Sequence, residues 1–298
     1  MLSICIPIYN FDVNSLVESL QKQMSKLHVP CELILIDDCS ENHFREVNRN
    51  ICQKSTYIEL TENIGRSRIR NLFLKYAQNE YLLFLDCDAK LASDNYLSDY
   101  LSFITKNNPA VIFGGSIYET QKPSRAYFLA WKYGHLRQTK AATERSKNPY
   151  HSFMTNNFCV RKDIFEKVQF NEKITEYGHE DTLFGLDLKS KKIQISHFQN
   201  PVYHIGIDTN EVYLKKVETS IKSLSFIQQN ISEKEQLEQN VNILRAYSKL
   251  NKMGLLAIIK FFYFLFKQPI RWTFKKGFIN LRLFDFYKLG YYISLRNK

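Results

Sequence analysis

The sequence predicts an α/β fold with a mostly parallel sheet, followed by a helical C-terminal part, and three observations carry that prediction. Over roughly the first 115 residues, apolar runs of strand length alternate with amphipathic helical spacing, the pattern of successive βα units. One run, Tyr81-Leu82-Leu83-Phe84-Leu85, is apolar throughout, as a strand covered on both faces must be. Polar residues gather just beyond the runs, where open α/β sheets hold their ligands.

In chain order, strands are expected at 3–8, 32–36, 57–60, 81–85 and 110–113. Between them, Val13, Leu16, Val17, Leu20, Met24 and Leu27 fall on one helical face, and Ile69, Leu72, Phe73 and Tyr76 on another. Residues 116–155 are less regular. They carry Arg125, Trp131, Arg137, Arg145 and an Asn148-Pro149 turn, and read as an inserted, mobile, substrate-facing segment. Beyond Pro201 the chain turns helical, and Ser232 with Glu235 fits a capping box for a helix running to about Leu250.

The 298 residues allow one large domain with an appendage, and 44% hydrophobic with 24% charged residues is the composition of a folded chain. Six cysteines without a CxxC pair read as free thiols in a reducing compartment. The N-terminus enters a strand pattern without a signal-like segment, so a cytoplasmic location is expected. The net charge of +11 is concentrated in residues 249–298, which hold eleven Lys/Arg against one acid, Asp285. With the first 248 residues nearly neutral and no recognition motif present, nucleic acid is excluded as the expected partner.

The strongest local motif is Phe84-Leu85-Asp86-Cys87-Asp88 at the end of the apolar strand. Extended chain alternates with period two, so Asp86 and Asp88 point the same way, and two hard carboxylates suit Mg²⁺ or Mn²⁺ bridged to a diphosphate. The same pair also suits a solvated strand end. Upstream stand Ile4-Cys5-Ile6-Pro7-Ile8-Tyr9-Asn10, then Leu35-Ile36-Asp37-Asp38-Cys39-Ser40, then Asn63-Ile64-Gly65 with Arg70-Asn71. Downstream, Tyr177-Gly178-His179-Glu180-Asp181 precedes Leu183-Phe184-Gly185, and Pro201-Val202-Tyr203-His204-Ile205-Gly206 follows.

As an ordered set over residues 1–206, these segments resemble the inverting family-2 glycosyltransferases of GT-A fold. The resemblance implies a catalytic domain at 1–206, with a nucleotide-sugar-binding half at 1–115 and an acceptor half at 116–206, before a helical extension at 207–298. It implies that Pro7 and Tyr9 flank the nucleotide base and that Asp37, Asp38, Asn63, Gly65, Arg70 and Asp86 belong to the donor site. Asp38 would accept from a uracil N3–H or a ribose hydroxyl, which favours a UDP-sugar. Asp86, Asp88 and His204 would hold Mn²⁺ or Mg²⁺. Asp181 is the implied general base, because the acceptor hydroxyl must lose a proton as it attacks, and Glu180 an acceptor-hydroxyl ligand. Asn157 or its neighbour Asn156, with Tyr177 and His179, would contact the acceptor.

Each residue also has a plainer use. Asp37 to Ser40 suits a capped turn, Arg70 a surface helix position, Asp181 a helix N-terminal acid, and His204 a structural strand position. Two departures from the family pattern stand out: Cys39 replaces a usual Gly, and Ala89 a frequent third acid.

Residues 253–266 form a 14-residue apolar run broken by Lys260, about 21 Å as helix and short of the ~30 Å hydrocarbon core. Thirteen aromatics share the last fifty residues with the eleven cations. That mixture suits residues 253–298 lying on a membrane surface or packing as a helical layer with a basic rim. Gln268-Pro269-Ile270-Arg271-Trp272 spells a motif of processive family-2 synthases, but without spans to form a channel it reads as coincidence, and single-sugar transfer is expected. The expected activity is metal-dependent transfer from a nucleotide sugar to a glycan or glycolipid at the inner face of the plasma membrane, in surface polysaccharide synthesis. The alternative is a non-catalytic, membrane-peripheral nucleotide-sugar-binding or assembly protein of the same fold.

Overall fold

The computed structural model describes residues 1–231 and 234–296. Four strands open the chain: β1 (Leu2–Ile8), β2 (Cys31–Asp37), β3 (Thr56–Glu59) and β4 (Tyr81–Leu85). They pair in parallel in the order β3-β2-β1-β4, with Leu2 opposite both Cys31 and Tyr81. The sheet continues through β8 (Asn157–Arg161), antiparallel to β4 and to β6 (Val111–Phe113), and ends on β9 (Ile195–His197), giving seven strands. A second, three-stranded sheet sets β10 (Val202–His204) between β5 (Ala89–Leu91) and β7 (Ser116–Ile117).

Alternation along the strands builds a core on each face. Ile4, Ile6, Leu33, Leu35 and Leu83 meet α1 (Asn14–Met24) and α4 (Tyr96–Asn107); α2 (Asn42–Ile51) packs beside α1. Cys5, Ile34, Ile36, Leu82 and Phe84 meet α3 (Gly65–Tyr76), α7 (Lys162–Lys167) and α8 (Glu180–Ser190). The second face is aromatic: Phe84 stacks on Phe158 at 4.8 Å, and Phe170 on Phe184 at 4.4 Å. Such ring pairs add to plain area burial.

The 116–155 segment is built, not loose. It forms α5 (Phe128–Tyr133), running into a π-helical turn at Gly134–Gln138, and α6 (Ala142–Arg145). Arg145, expected to face substrate, is instead buried with all five N–H groups engaged. They reach the carbonyls of Phe113, Gly114, Lys140 and Phe198 and the His197 ring. Burial lowers its pKa to about 10.

Beyond β10 the described chain is helical: α9 (Asn210–Asn230), α10 (Lys234–Asn240), α11 (Asn242–Lys252), α12 (Leu256–Lys275) and α13 (Leu281–Arg296). The Ser232–Glu235 capping box lies partly outside the described residues, and the helix expected there breaks at Val241. α12 runs through Pro269 and packs Tyr263, Ile270 and Phe274 inward. Gly290 of α13 lets the helices close up, since a Cβ there would collide with the Tyr263 ring. Arg271 bonds to Glu218 and Tyr287, stapling α12 to α9 and α13. No helix among the described residues is long and apolar enough to cross a membrane.

Candidate active site

The sequence-predicted residues converge at the carboxyl ends of the central strands. Asp37 closes β2; its Oδ1 accepts from the Ser40 N–H at 2.7 Å, while the buried Oδ2 has no hydrogen-bond partner. Asp38 accepts the backbone N–H groups of Ile64 and Gly65 at 2.7 and 3.0 Å, so it closes the N-terminus of α3. Burial raises its pKa against those two bonds. Asn63 donates to the Asp38 carbonyl, and Gly65 makes the turn into α3 at a φ of +80°. Tyr9, just past Pro7 at the end of β1, is 54% exposed. Cys39 adopts a φ of +63°, the left-handed geometry for which the family pattern supplies Gly.

At the end of β4, Asp86 accepts from Arg70 Nη2 at 3.0 Å; Arg70 is buried, not a surface helix residue. Burial raises the Asp86 pKa despite Arg70, and Asp88 adds to the rise. β10 explains how His204 arrives from more than a hundred residues away. It runs antiparallel to β5 with His204 opposite Ala89, and the Ile205 N–H bonds the Asp88 carbonyl. His204 Nδ1 then lies 3.3 Å from Asp88 Oδ1. Burial lowers the imidazole pKa, but Asp88 outweighs it and the net shift is upward.

Among the described residues no three His, Cys, Asp or Glu side chains form a ready metal cage. The donors present nonetheless fit a hard divalent cation. Asp88 Oδ1 is buried without an aligned hydrogen bond, an imidazole nitrogen faces it, and Gly206 leaves room where a Cβ would strike the Asp88 carboxylate. Magnesium-type ions take one or two carboxylates and complete their shell with water and phosphate oxygens.

The acidic motif begins α8. Gly178 and His179 both have positive φ, +102° and +71°, and this double turn aims the first helical residues inward. Glu180 meets Arg66 Nη1 at 3.4 Å and Arg70 Nη1 at 3.9 Å. Burial pushes its pKa up, but the two guanidinium groups outweigh that and hold it low. For Asp181, burial comes first and Glu180 second in raising the pKa to about 6, against opposing bonds from Thr182. His179 is held neutral, its pKa lowered to about 4 by burial, and the Tyr177 phenol is pushed up to about 12 by burial.

A cavity of about 1080 Å³ runs past these groups. Asp86, Asp88, His204, Glu180 and Asp181 line it, together with Tyr213 and Lys216 of α9 and Lys288 of α13. Pro7, Tyr9 and Asp38 lie outside it. Asn157 does not face it: its Oδ1 accepts from Tyr96 and Tyr100 and its Nδ2 donates to the Gly115 and Asn200 carbonyls. That fully buried amide has no atom left for an acceptor, and the cavity is lined instead by Asn156, whose Oδ1 is unpartnered. Sequence reasoning also missed Arg66, which sits at a variable position of its motif, and the Asp208–Lys216 pair at 2.7 Å, which carries no motif.

The profile of glycosyl transferase family 2 matches residues 3–169. An uncharacterized glycosyltransferase of Haemophilus influenzae is 29% identical over 214 residues, 69% of this chain and 80% of that protein. The minor teichoic acid biosynthesis protein GgaB of Bacillus subtilis is 26% identical over 199 residues, 64% of this chain. The matched regions cover 21% of GgaB and 19% of a Rickettsia felis glycosyltransferase, so the chain spans about a fifth of those relatives. Among solved structures, the mannosyltransferase PcManGT of Pyrobaculum calidifontis, in complex with GDP-Man and Mn²⁺, superposes with a TM-score of 0.60 at 11% identity, over 99% of this chain and 86% of its own. S. aureus TarS 1-349 in complex with UDP gives 0.51 at 20% identity, over 86% and 74%. At these identities the likeness is one of fold, and that fold is GT-A, as expected. With more than half of its residues inside the matched profile, the chain belongs to glycosyl transferase family 2.

Proposed function

We propose that the protein transfers one sugar, with inversion, from a UDP-linked donor to a hydroxyl of a glycan or glycolipid presented at a membrane, in surface polysaccharide synthesis. The observation that carries this reading is Asp181, a carboxylate on the cavity wall with its pKa raised to about 6, near enough to neutrality to serve as a base. In the reaction the acceptor oxygen attacks the anomeric carbon, its proton passes to an Asp181 carboxylate oxygen, and the bond to the diphosphate breaks. Glu180 orients the acceptor hydroxyl, and Arg70 holds Asp86 at the donor end. Asp88 and His204, with Asp86 beside them, would hold Mn²⁺ or Mg²⁺, which supplies neutralising charge to the departing diphosphate. Tyr9 offers the exposed ring for the nucleotide base, one residue past Ile8, which pairs with Asp37 and accepts the Asp38 N–H.

α12 supports the membrane half of the reading. Ile258, Phe261, Phe262, Leu265 and Trp272 share a face and are exposed, Phe261 to 64% and Trp272 to 58%, while Lys260 and Lys267 stand on the same helix off that face and Lys275 and Lys276 at its C-terminal end. An interfacial helix has this make-up: an apolar face for acyl chains and cations for anionic headgroups. The inner face of the plasma membrane is the location that fits a nucleotide-sugar donor. Incubation with UDP-sugars and Mn²⁺ tests the activity. Metal-requiring release of UDP that falls about 10²–10⁴-fold in Asp181→Asn is expected; undiminished release by that variant sinks the assignment.

A further inference from the structure

Arg66 lines the cavity within reach of both Glu180 and Asp86. It occupies the first turn of α3, directly after Gly65. Its side chain is 49% exposed, whereas Glu180, 3.4 Å away, is 7% exposed. The guanidinium lies over the Tyr177 ring, 4.5 Å from its centroid, and interacts electrostatically with Asp86. Arg70 behaves differently. It is buried, bonded to Asp86 at 3.0 Å and to the Arg66 carbonyl at 3.2 Å, and reaches Glu180 at 3.9 Å. Glu180 therefore has two cationic neighbours, one fixed and one able to move.

We propose that Arg66 is a shared cation that holds Glu180 while the donor site is empty and passes to the diphosphate when the donor binds, leaving Glu180 free to take the acceptor hydroxyl. The inference rests on the nucleotide-sugar reading above. A guanidinium fork suits phosphate as well as carboxylate, and a diphosphate carries more charge than one carboxylate. The 3.4 Å contact is looser than the ~2.7–2.9 Å of a tight charge-assisted bond, so it opens at a modest cost, which is the cost that Glu180→Gln removes. Arg70 stays behind, so the buried Glu180 is never stranded without a cation, the situation that makes broken buried pairs costly. Binding is then ordered: the acceptor carboxylate is masked until the donor arrives. Arg66 touches the donor and positions the acceptor only through Glu180.

Calorimetric titration of the full chain with UDP in the presence of Mn²⁺ tests the idea, with uridine as the probe that lacks phosphate and GDP run in parallel. Arg66→Gln should weaken UDP about tenfold and leave uridine unchanged. Glu180→Gln should tighten UDP several-fold by freeing Arg66, and the gain should vanish in the double variant. A structural role for Arg66 would weaken UDP and uridine alike and predicts no gain from Glu180→Gln. Equal UDP affinity in wild type and Arg66→Gln, or no gain in Glu180→Gln, overturns the shared cation while leaving the donor reading intact. Wild-type protein that binds neither UDP nor GDP overturns the donor reading, and this inference with it.

Discussion

The central sheet and α12 are both rich in apolar residues, yet they dispose of them in opposite ways. In the sheet, Ile4, Leu83, Phe84 and Phe158 are fully buried, and the one amide among them, Asn157, has every hydrogen-bonding position filled. On α12, the face carrying Tyr263 and Ile270 is buried against α13, while the face carrying Phe261, Leu265 and Trp272 stays open. Apolar residues in the first region are there for the fold. Those on the open face of α12 contribute less to it, and the membrane contact proposed above would cover them.

The difference predicts that substitutions in the two regions fail in different assays. The largest effect is expected at Asn157. Asn157→Ala removes the acceptor shared by the Tyr96 and Tyr100 hydroxyls and the donor to the Asn200 carbonyl, while the Gly115 carbonyl keeps the Val202 N–H, and chemical denaturation should report a loss of about 3 kcal/mol. A loss under about 1 kcal/mol would show that the amide is not the hub it looks to be. Next, a triple Phe261→Ser, Leu265→Ser, Trp272→Ser variant should keep its denaturation midpoint but lose tenfold or more in flotation with anionic phosphatidylglycerol vesicles. Equal flotation, or a midpoint that collapses, would erase the distinction between the two faces of α12.

Smaller effects sharpen the picture inside the sheet half. Asp181 has a raised pKa, so its base form is lost as pH falls through about 6. The acid limb of kcat/KM should bend there and fall about tenfold per pH unit below it; a limb near pH 4 would mean that burial does not act on this carboxylate. The smallest change is expected from Cys39→Gly, where relief of a left-handed residue is set against loss of the Sγ contacts with Arg45 and the Thr61 carbonyl, so that stability in the same denaturation assay should change by less than about 1 kcal/mol.

Legibility followed the length of the pattern. β1, β2 and β4 are apolar runs of five to seven residues and were placed from the sequence to within a residue or so at each end. β5, β9 and β10 are three residues each, too short for a period-two signal, so the pairing that brings His204 to Asp88 was visible only as a family resemblance. Asn157 was misread because its partners, Tyr96 and Tyr100, lie 61 and 57 residues away and nothing local marks them. Arg145 was misread for a related reason: a charged residue in an irregular segment looks solvated until the carbonyls that surround it are known.

Arg145 also bears on turnover. For the 134–145 wall to swing out, five N–H donors and a charge would have to leave their partners together, a cost of several kcal/mol before water could compensate. The cavity thus works as a port of fixed bore rather than as a closing jaw. Which molecules can enter it is then decided at the threshold, by their width, before any contact with the carboxylates inside.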